Sequence, residues 1–409
     1  MGRYLSPSLL VRILVPATLV AGIIHFALRL DGRFELGRDP AFTIFAGAAF
    51  GILLQRSRFC FYCMLRELFE ERDARGVLGI LVALAVGSLG YLVVMQPWLP
   101  DPSAGRLPPD AHIGPVSWVL VAGGVSFGIG MVLSGSCISA HLYRLGEGST
   151  LSPFALVGAI GGFMLGFVSW SWLYIGALAT APASWLPATF GYGGALAVQA
   201  AALGLVALLL LFWVRWPVRP AEPVSAGGPT PAAVARMIFV QRWPAWLGGI
   251  GVGMLGFLAY LRTEPLGVTA ELGSRGRTLA ESLGWIPERL PGVDRFAGCA
   301  TVIIDTLMTP NGLFILALVA GSLAAGVASG SFRPRAYAWH RYLLATLGGV
   351  LMGWGAMVSL GCTVGVLLSG ISAFAVSGWV FGTAVVLAVW ASLLVKRWLM
   401  PWAEHGHTP

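Results

Sequence analysis

"GGVSFGIGMVLSGSC" occupies residues 123–137, and "GGVLMGWGAMVSLGC" occupies residues 348–362. Seven of the fifteen positions coincide without a gap: Gly123/Gly348, Gly124/Gly349, Val125/Val350, Gly128/Gly353, Gly130/Gly355, Ser134/Ser359 and Cys137/Cys362. The offset is a constant 225 residues. A phrase repeated at long range marks an internal duplication. Both copies are apolar, rich in small residues, and end at a cysteine.

The surroundings fix the solvent. Of 409 residues, 57% are hydrophobic and only 11% are charged, with a mean hydropathy of +0.79. Soluble domains carry about 25% charged residues, so this chain has a lipid-facing surface. Long apolar runs separated by short polar breaks read as helices; a barrel would show strands of about ten alternating residues. The net charge of +8 does not make a nucleic-acid binder, because most arginines flank apolar runs, as orientation signals do. The five cysteines form no zinc set, and Cys60-Phe-Tyr-Cys63 lacks the βαβ context of a redox CxxC motif. No cofactor is implied. The N-terminal stretch is too long for a signal peptide and lacks a cleavage site, so it reads as a retained helix.

A membrane span needs about 20 mostly apolar residues. Ten windows qualify: 9–30, 39–55, 77–96, 116–134, 152–178, 194–215, 245–261, 312–329, 344–360 and 376–395. A Pro/Gly-rich linker at 217–244 divides the chain into a first half, 1–216, and a second half, 245–409. Segment 262–297 reads as a polar surface loop. Arginines crowd 56–75, the linker, 332–341 and the C-terminal flank. The positive-inside rule then puts both termini in the cytoplasm. It leaves one tension, since 262–297 falls outside yet holds Arg262, Arg275, Arg277, Arg289 and Arg295.

With ten spans the two copies of the phrase run in opposite directions. This predicts an all-α integral membrane protein of two inverted repeats, the plan of many transporters. Cys63 lies thirteen residues before Gly76, and Cys299 thirteen before Gly312, so four cysteines hold matched places. Stretches 56–69, 137–150, 298–307 and 362–378 are too short or too polar to span, and read as four re-entrant segments. Irregular backbone at membrane depth must be buried in protein or line a cavity. Helix N-termini at such breaks favour anions. A lone buried cysteine is usually a small hydrophobe, but several at symmetric breaks suit a soft, sulfur-bearing substrate. Arg58 and Arg56 stand where an anion would be attracted or orientation marked. His141 and Arg144 follow Cys137, where they contact a substrate or cap a short helix. Asp305 near Cys299 reads as a structural hydrogen bond.

These residues resemble a known family. "FGILLQRSRFCF" (50–61) and the two glycine phrases are similar to the YeeE/YedE sulfur-transport family of bacterial inner-membrane proteins. The resemblance covers roughly 40–180 and 245–395. It implies an hourglass of two inverted halves in which cysteines pass thiosulfate, or a related sulfur-containing anion, inward through S–H···S contacts. The family's key cysteines map onto Cys60, Cys137 and Cys362, while Cys63 and Cys299 match less closely. It also implies a small cytoplasmic TusA-like sulfur-carrier protein as a partner. Transport of a selenium compound, or a membrane-embedded sulfurtransferase or thiol redox protein, are the alternatives. The chain departs from short members by its length, its 262–297 excursion and the second cysteine of "CFYC".

Overall fold

The computed structural model describes residues 7–32, 39–214, 230–293, 303 and 309–399. The described chain is helical, with two isolated β-bridges and no extended strand. In order it forms α1 (Pro7–Leu30), α2 (Pro40–Ser57), α3 (Phe61–Arg66), α4 (Arg75–Trp98), α5 (Trp118–Ser134), α6 (Ile138–Gly146), α7 (Leu151–Leu173), α8 (Leu186–Trp213), α9 (Pro231–Phe239), α10 (Ala245–Arg262), α11 (Ala270–Ser282), α12 (Pro310–Ser329), α13 (Trp339–Val358) and, after a π-helix at Thr363–Gly370, α14 (Val376–Leu399). Among the described residues, ten helical stretches are long and apolar enough to cross a bilayer. They correspond one for one to the ten windows read from sequence.

Apolar lipid offers little drive for helices to associate, so close backbone approach through small residues must supply it. The glycine phrase does this. α5 and α13 cross antiparallel. A methyl on Gly130 would stand 2.5 Å from the Gly348 carbonyl oxygen, and one on Gly348 2.6 Å from that of Gly130. The pair Gly123 and Gly355 is as tight, at 2.9 and 2.5 Å. The 225-residue offset carries Gly123 onto Gly348 and Gly130 onto Gly355, so each contact is the image of the other. Between them Ser126 Oγ donates to the Leu351 carbonyl at 2.9 Å.

The same device recurs elsewhere. α13 lies on α7 through Gly158, Gly162, Gly349 and Gly353, each under a carbonyl of the facing helix. α12 lies on α2 through Gly47, Gly51 and Gly321, and α10 on α4 through Gly79, Gly249 and Gly253. α14 packs on α5. Each of these pairs joins a helix before the 217–244 linker to one after it. The core is therefore shared between the two halves.

Two of the breaks expected between spans have the same cause. α5 stops where Gly135 takes a left-handed conformation (φ 79°). At the matching position Leu360 does the same, with φ 61°, a conformation that costs a side-chain-bearing residue roughly 1–3 kcal/mol. The chain then re-enters helix as α6 and as the π-helix, whose starts at Ile138 and Thr363 also differ by 225. All eight π-helical residues are buried.

Segment 262–297 is not the surface loop expected. Its described part, to residue 293, contains α11, with Ala270, Glu271, Gly273, Ser274, Gly276, Arg277 and Ala280 buried. Gly276 packs against Phe163 and the Ile160 carbonyl near the middle of α7. The low hydropathy of "AELGSRGRTLAES" hid it. Its charges are met within the protein: Arg275 pairs with Glu271 at 2.7 Å, and Arg277 donates to the Glu288 carbonyl at 3.1 Å. These two cations therefore turn inward, which eases the orientation conflict they posed.

Candidate functional site

Three cysteines occupy one structural position. Cys60 is the N-cap of α3, Cys137 of α6 and Cys362 of the π-helix. The sulfurs of Cys60 and Cys362 accept from backbone N–H groups that the first helical turn leaves unpaired. Cys60 Sγ takes Cys63 N–H at 3.4 Å, and Cys362 Sγ takes Val364 N–H at 3.4 Å. All three are free thiols and fully buried. Sulfur thus stands where the helix ends favour an electron-rich group.

Cys60, Cys63 and Cys137 come together, their side chains interacting with one another. Cys137 Sγ also lies 3.2 Å from Ser139 Oγ. Arg144, on the last turn of α6, reaches back over this cluster. One guanidinium nitrogen lies 3.2 Å from Cys63 Sγ, and another donates to the Gly135 carbonyl at 3.4 Å. A charge-assisted donor in a fixed fork therefore faces soft thiols.

On its other side Arg144 lines a cavity of about 540 Å³. Arg56, Arg58, Arg242, Arg333 and Arg335 also border it, and Glu147 is the one acidic residue among its lining groups. Glu147 Oε1 accepts from Gln55 Nε2 at 3.2 Å. Burial holds the Glu147 carboxyl above the usual carboxylate range, partly countered by that hydrogen bond. A concave surface dominated by one sign of charge concentrates ions of the other. Arg144 thus borders both the basic vestibule and the thiol cluster.

The remaining candidates divide. Arg58 is exposed at the vestibule wall. Arg56 is a clamp: it donates to the carbonyls of Val240 and Gln241 and lies 5.9 Å from the Trp243 ring centroid. His141 ties α6 to α7, its Nδ1 3.3 Å from Ser152 Oγ. Cys362 stands apart from the other three, held by Val364, Gly365 and the Thr269 hydroxyl. Cys299 and Asp305 lie outside the described residues. The vestibule's Arg242, Arg333 and Arg335 were read from sequence only as orientation markers. Their convergence depends on how α9–α10 and α12–α13 join, which spacing does not reveal.

Residues 56–391 match the family described as Sulphur transport. The chain belongs to this family. Within it the chain is similar to "Thiosulfate transporter TsuA" of Escherichia coli (strain K12), 29% identical over 367 residues that cover 86% of this chain and 93% of that protein. It is also similar to "Thiosulfate transporter TsuA" of Spirochaeta thermophila, 27% identical over 369 residues, 87% of this chain and 98% of that protein. "Probable transporter YedE" of Escherichia coli matches over 184 residues at 29% identity, covering 44% of this chain. Family and fold agree that this is a multi-pass membrane transport protein, and its relatives are named as transporters.

Proposed function

We propose that the chain carries thiosulfate, or a closely related sulfur-containing anion, into the cell through a path that passes Arg144 and the Cys60–Cys63–Cys137 cluster. The observation that carries this reading is the position of Arg144, with the basic vestibule on one side and thiols on the other. Thiosulfate has hard sulfonate oxygens and one soft terminal sulfur. The guanidinium suits the first, and S–H groups suit the second. No chemical conversion is required of these residues, which only exchange hydrogen bonds with the passing ion.

The reciprocal glycine contacts and the matched helix starts support two inverted repeats, with α5–α6 and α13–π-helix as related broken units. In this arrangement α3, α6 and the π-helix act as re-entrant elements. Arginine density around the vestibule supports its facing the cytoplasm, with both termini on that side of the bacterial inner membrane. A small TusA-like carrier would then meet the vestibule and take up sulfur leaving the path. Cys362 belongs to the opposite half of the same path.

Uptake of ³⁵S-thiosulfate by cells lacking other routes tests the reading. Wild type restores uptake and Cys137→Ala abolishes it, with no persulfide on any cysteine by mass spectrometry during turnover. Equal uptake by both proteins at equal expression removes the thiol path, and a turnover-dependent persulfide favours the sulfurtransferase alternative.

A further inference from the structure

The loop between α4 and α5 carries a histidine that the fold itself does not use. His112 is 2% exposed, and among the described residues neither ring nitrogen has a hydrogen-bond partner. Buried polar groups are nearly always satisfied, and an exception asks for an explanation. The loop is firmly held on both flanks. Tyr260 OH donates to the Pro109 carbonyl at 2.8 Å, Gly114 N–H to Ser377 Oγ at 3.2 Å, and Val116 N–H to the Pro182 carbonyl at 2.9 Å. An apolar side chain at position 112 would fill the same space without leaving two nitrogens unpaired.

The ring is aimed at the cap of the π-helix. A methyl on Gly361 would stand 2.6 Å from His112 Nε2, so the imidazole lies against the residue preceding Cys362. The residue following Cys362 repeats the anomaly: Thr363 is 1% exposed, and its Oγ1 has no partner among the described residues. Between the two, Cys362 Sγ accepts from Val364 N–H at 3.4 Å and its side chain interacts with that of Thr269. An imidazole, a thiol and a hydroxyl thus lie buried beside one helix start. This point lies at the opposite end of the α5–α13 crossing from Cys137: Gly130 and Cys137 continue one way, Gly355 and Cys362 the other.

We propose that His112, Thr363 and Cys362 form a second anion-binding station on the face opposite the vestibule, for an oxyanion bearing a soft terminal atom, with His112 and Thr363 holding the oxygens. The proposal rests on the reading that the chain carries a sulfur anion. The station works with neutral donors, in contrast to Arg144. Burial brings the His112 pKa down to about 4, which keeps the ring uncharged at physiological pH. A neutral station releases its ion more readily than a guanidinium does, as an entry or exit point requires.

Equilibrium dialysis of the purified full chain in nanodiscs against ³⁵S-thiosulfate and ³⁵S-sulfate tests this. Wild type binds two thiosulfate ions per chain. Arg144→Leu leaves one, which His112→Leu or Thr363→Val then weakens at least tenfold, whereas His112→Gln, which keeps a donor, weakens it less. Sulfate, lacking the soft end, binds the second station more weakly than thiosulfate. Thr363→Val is isosteric and removes no hydrogen bond made within the described residues, so its melting temperature stays at the wild-type value or rises. One ion per wild-type chain, lost in Arg144→Leu and untouched by His112→Leu and Thr363→Val, overturns the second station while the vestibule reading stands. Two ions insensitive to both substitutions also overturn it. No bound thiosulfate together with no uptake removes both readings.

Discussion

Replacing Arg144 by leucine separates attraction at the vestibule wall from coordination at its floor. The side chain is unbranched through Cδ, so leucine retains part of its apolar stem and removes the fork. The structure gives two contacts to lose, 3.2 Å to Cys63 Sγ and 3.4 Å to the Gly135 carbonyl, and each marks a direction in which an anion's oxygens would be held. A hydrogen bond to a charged partner contributes about 1.5–3 kcal/mol. The loss of one such bond to the substrate, about 2 kcal/mol, is roughly a 30-fold rise in half-saturating thiosulfate at about 1.4 kcal/mol per decade. Arg144→Lys keeps the charge without the fork and falls between. Arg58→Ala removes an exposed charge worth under about 1 kcal/mol, a change of fivefold or less. The assay is ³⁵S-thiosulfate uptake into proteoliposomes over a concentration series, with melting temperature measured on the same preparations. Uptake by folded Arg144→Leu within twofold of wild type refutes the assignment, as does a larger effect from Arg58→Ala.

Three further outcomes follow from the same geometry. Gly130→Val forces atoms into the Gly348 carbonyl, 2.5 Å from the first added carbon. Overpacking of this kind costs about 1–3 kcal/mol, so the melting temperature falls, and uptake falls further because Cys137 lies seven residues beyond the pried contact. Lowering the pH through the raised range of Glu147 neutralises the one acid in the vestibule lining. Thiosulfate capture therefore tightens as pH falls, and Glu147→Gln flattens the pH profile of half-saturation. With a raised folded-state pKa the carboxyl's stabilising contribution is present at acid pH and lost as pH rises through that pKa. Gln199→Leu on α8 removes the hydrogen bonds from Nε2 to Ser88 Oγ and the Ile371 carbonyl, at 3.0 and 2.7 Å, and takes from Trp379 Nε1 its acceptor, Oε1 at 3.1 Å. Each lost hydrogen bond contributes about 0.5–1.5 kcal/mol, so thermal unfolding shifts down while mutation of exposed α8 positions such as Leu205 leaves it unchanged.

What could be read in the sequence follows the length scale of each signal. Ten apolar windows survive because hydropathy averages over about 20 residues, and the glycine phrases stand out because a repeated string is detectable without any structure. The break after Ser134 was legible in "SGSC" through Gly135, yet its counterpart is made by Leu360, which no turn rule would choose. α11 was lost because its burial comes from Gly276 under α7 and from internally paired arginines, so its composition imitates a loop. Matched spacing paired Cys63 with Cys299 and Cys137 with Cys362, and gave no sign that Cys60, Cys63 and Cys137 meet. The separation of Cys362 from them depends on the direction of two helices, which spacing does not encode. His112 left no signal, because a histidine between "PPDA" and "IGPV" looks like ordinary loop until its unpaired ring is seen.

The interleaving of α2 with α12, α4 with α10, and α7 with α13 has a consequence for biosynthesis. Residues 1–216 leaving the ribosome first carry backbone grooves shaped for helices not yet made, so the nascent protein waits, incompletely closed, in the bilayer. A chain severed within the linker should therefore yield two fragments that are each degraded when expressed singly but rescue one another when co-expressed.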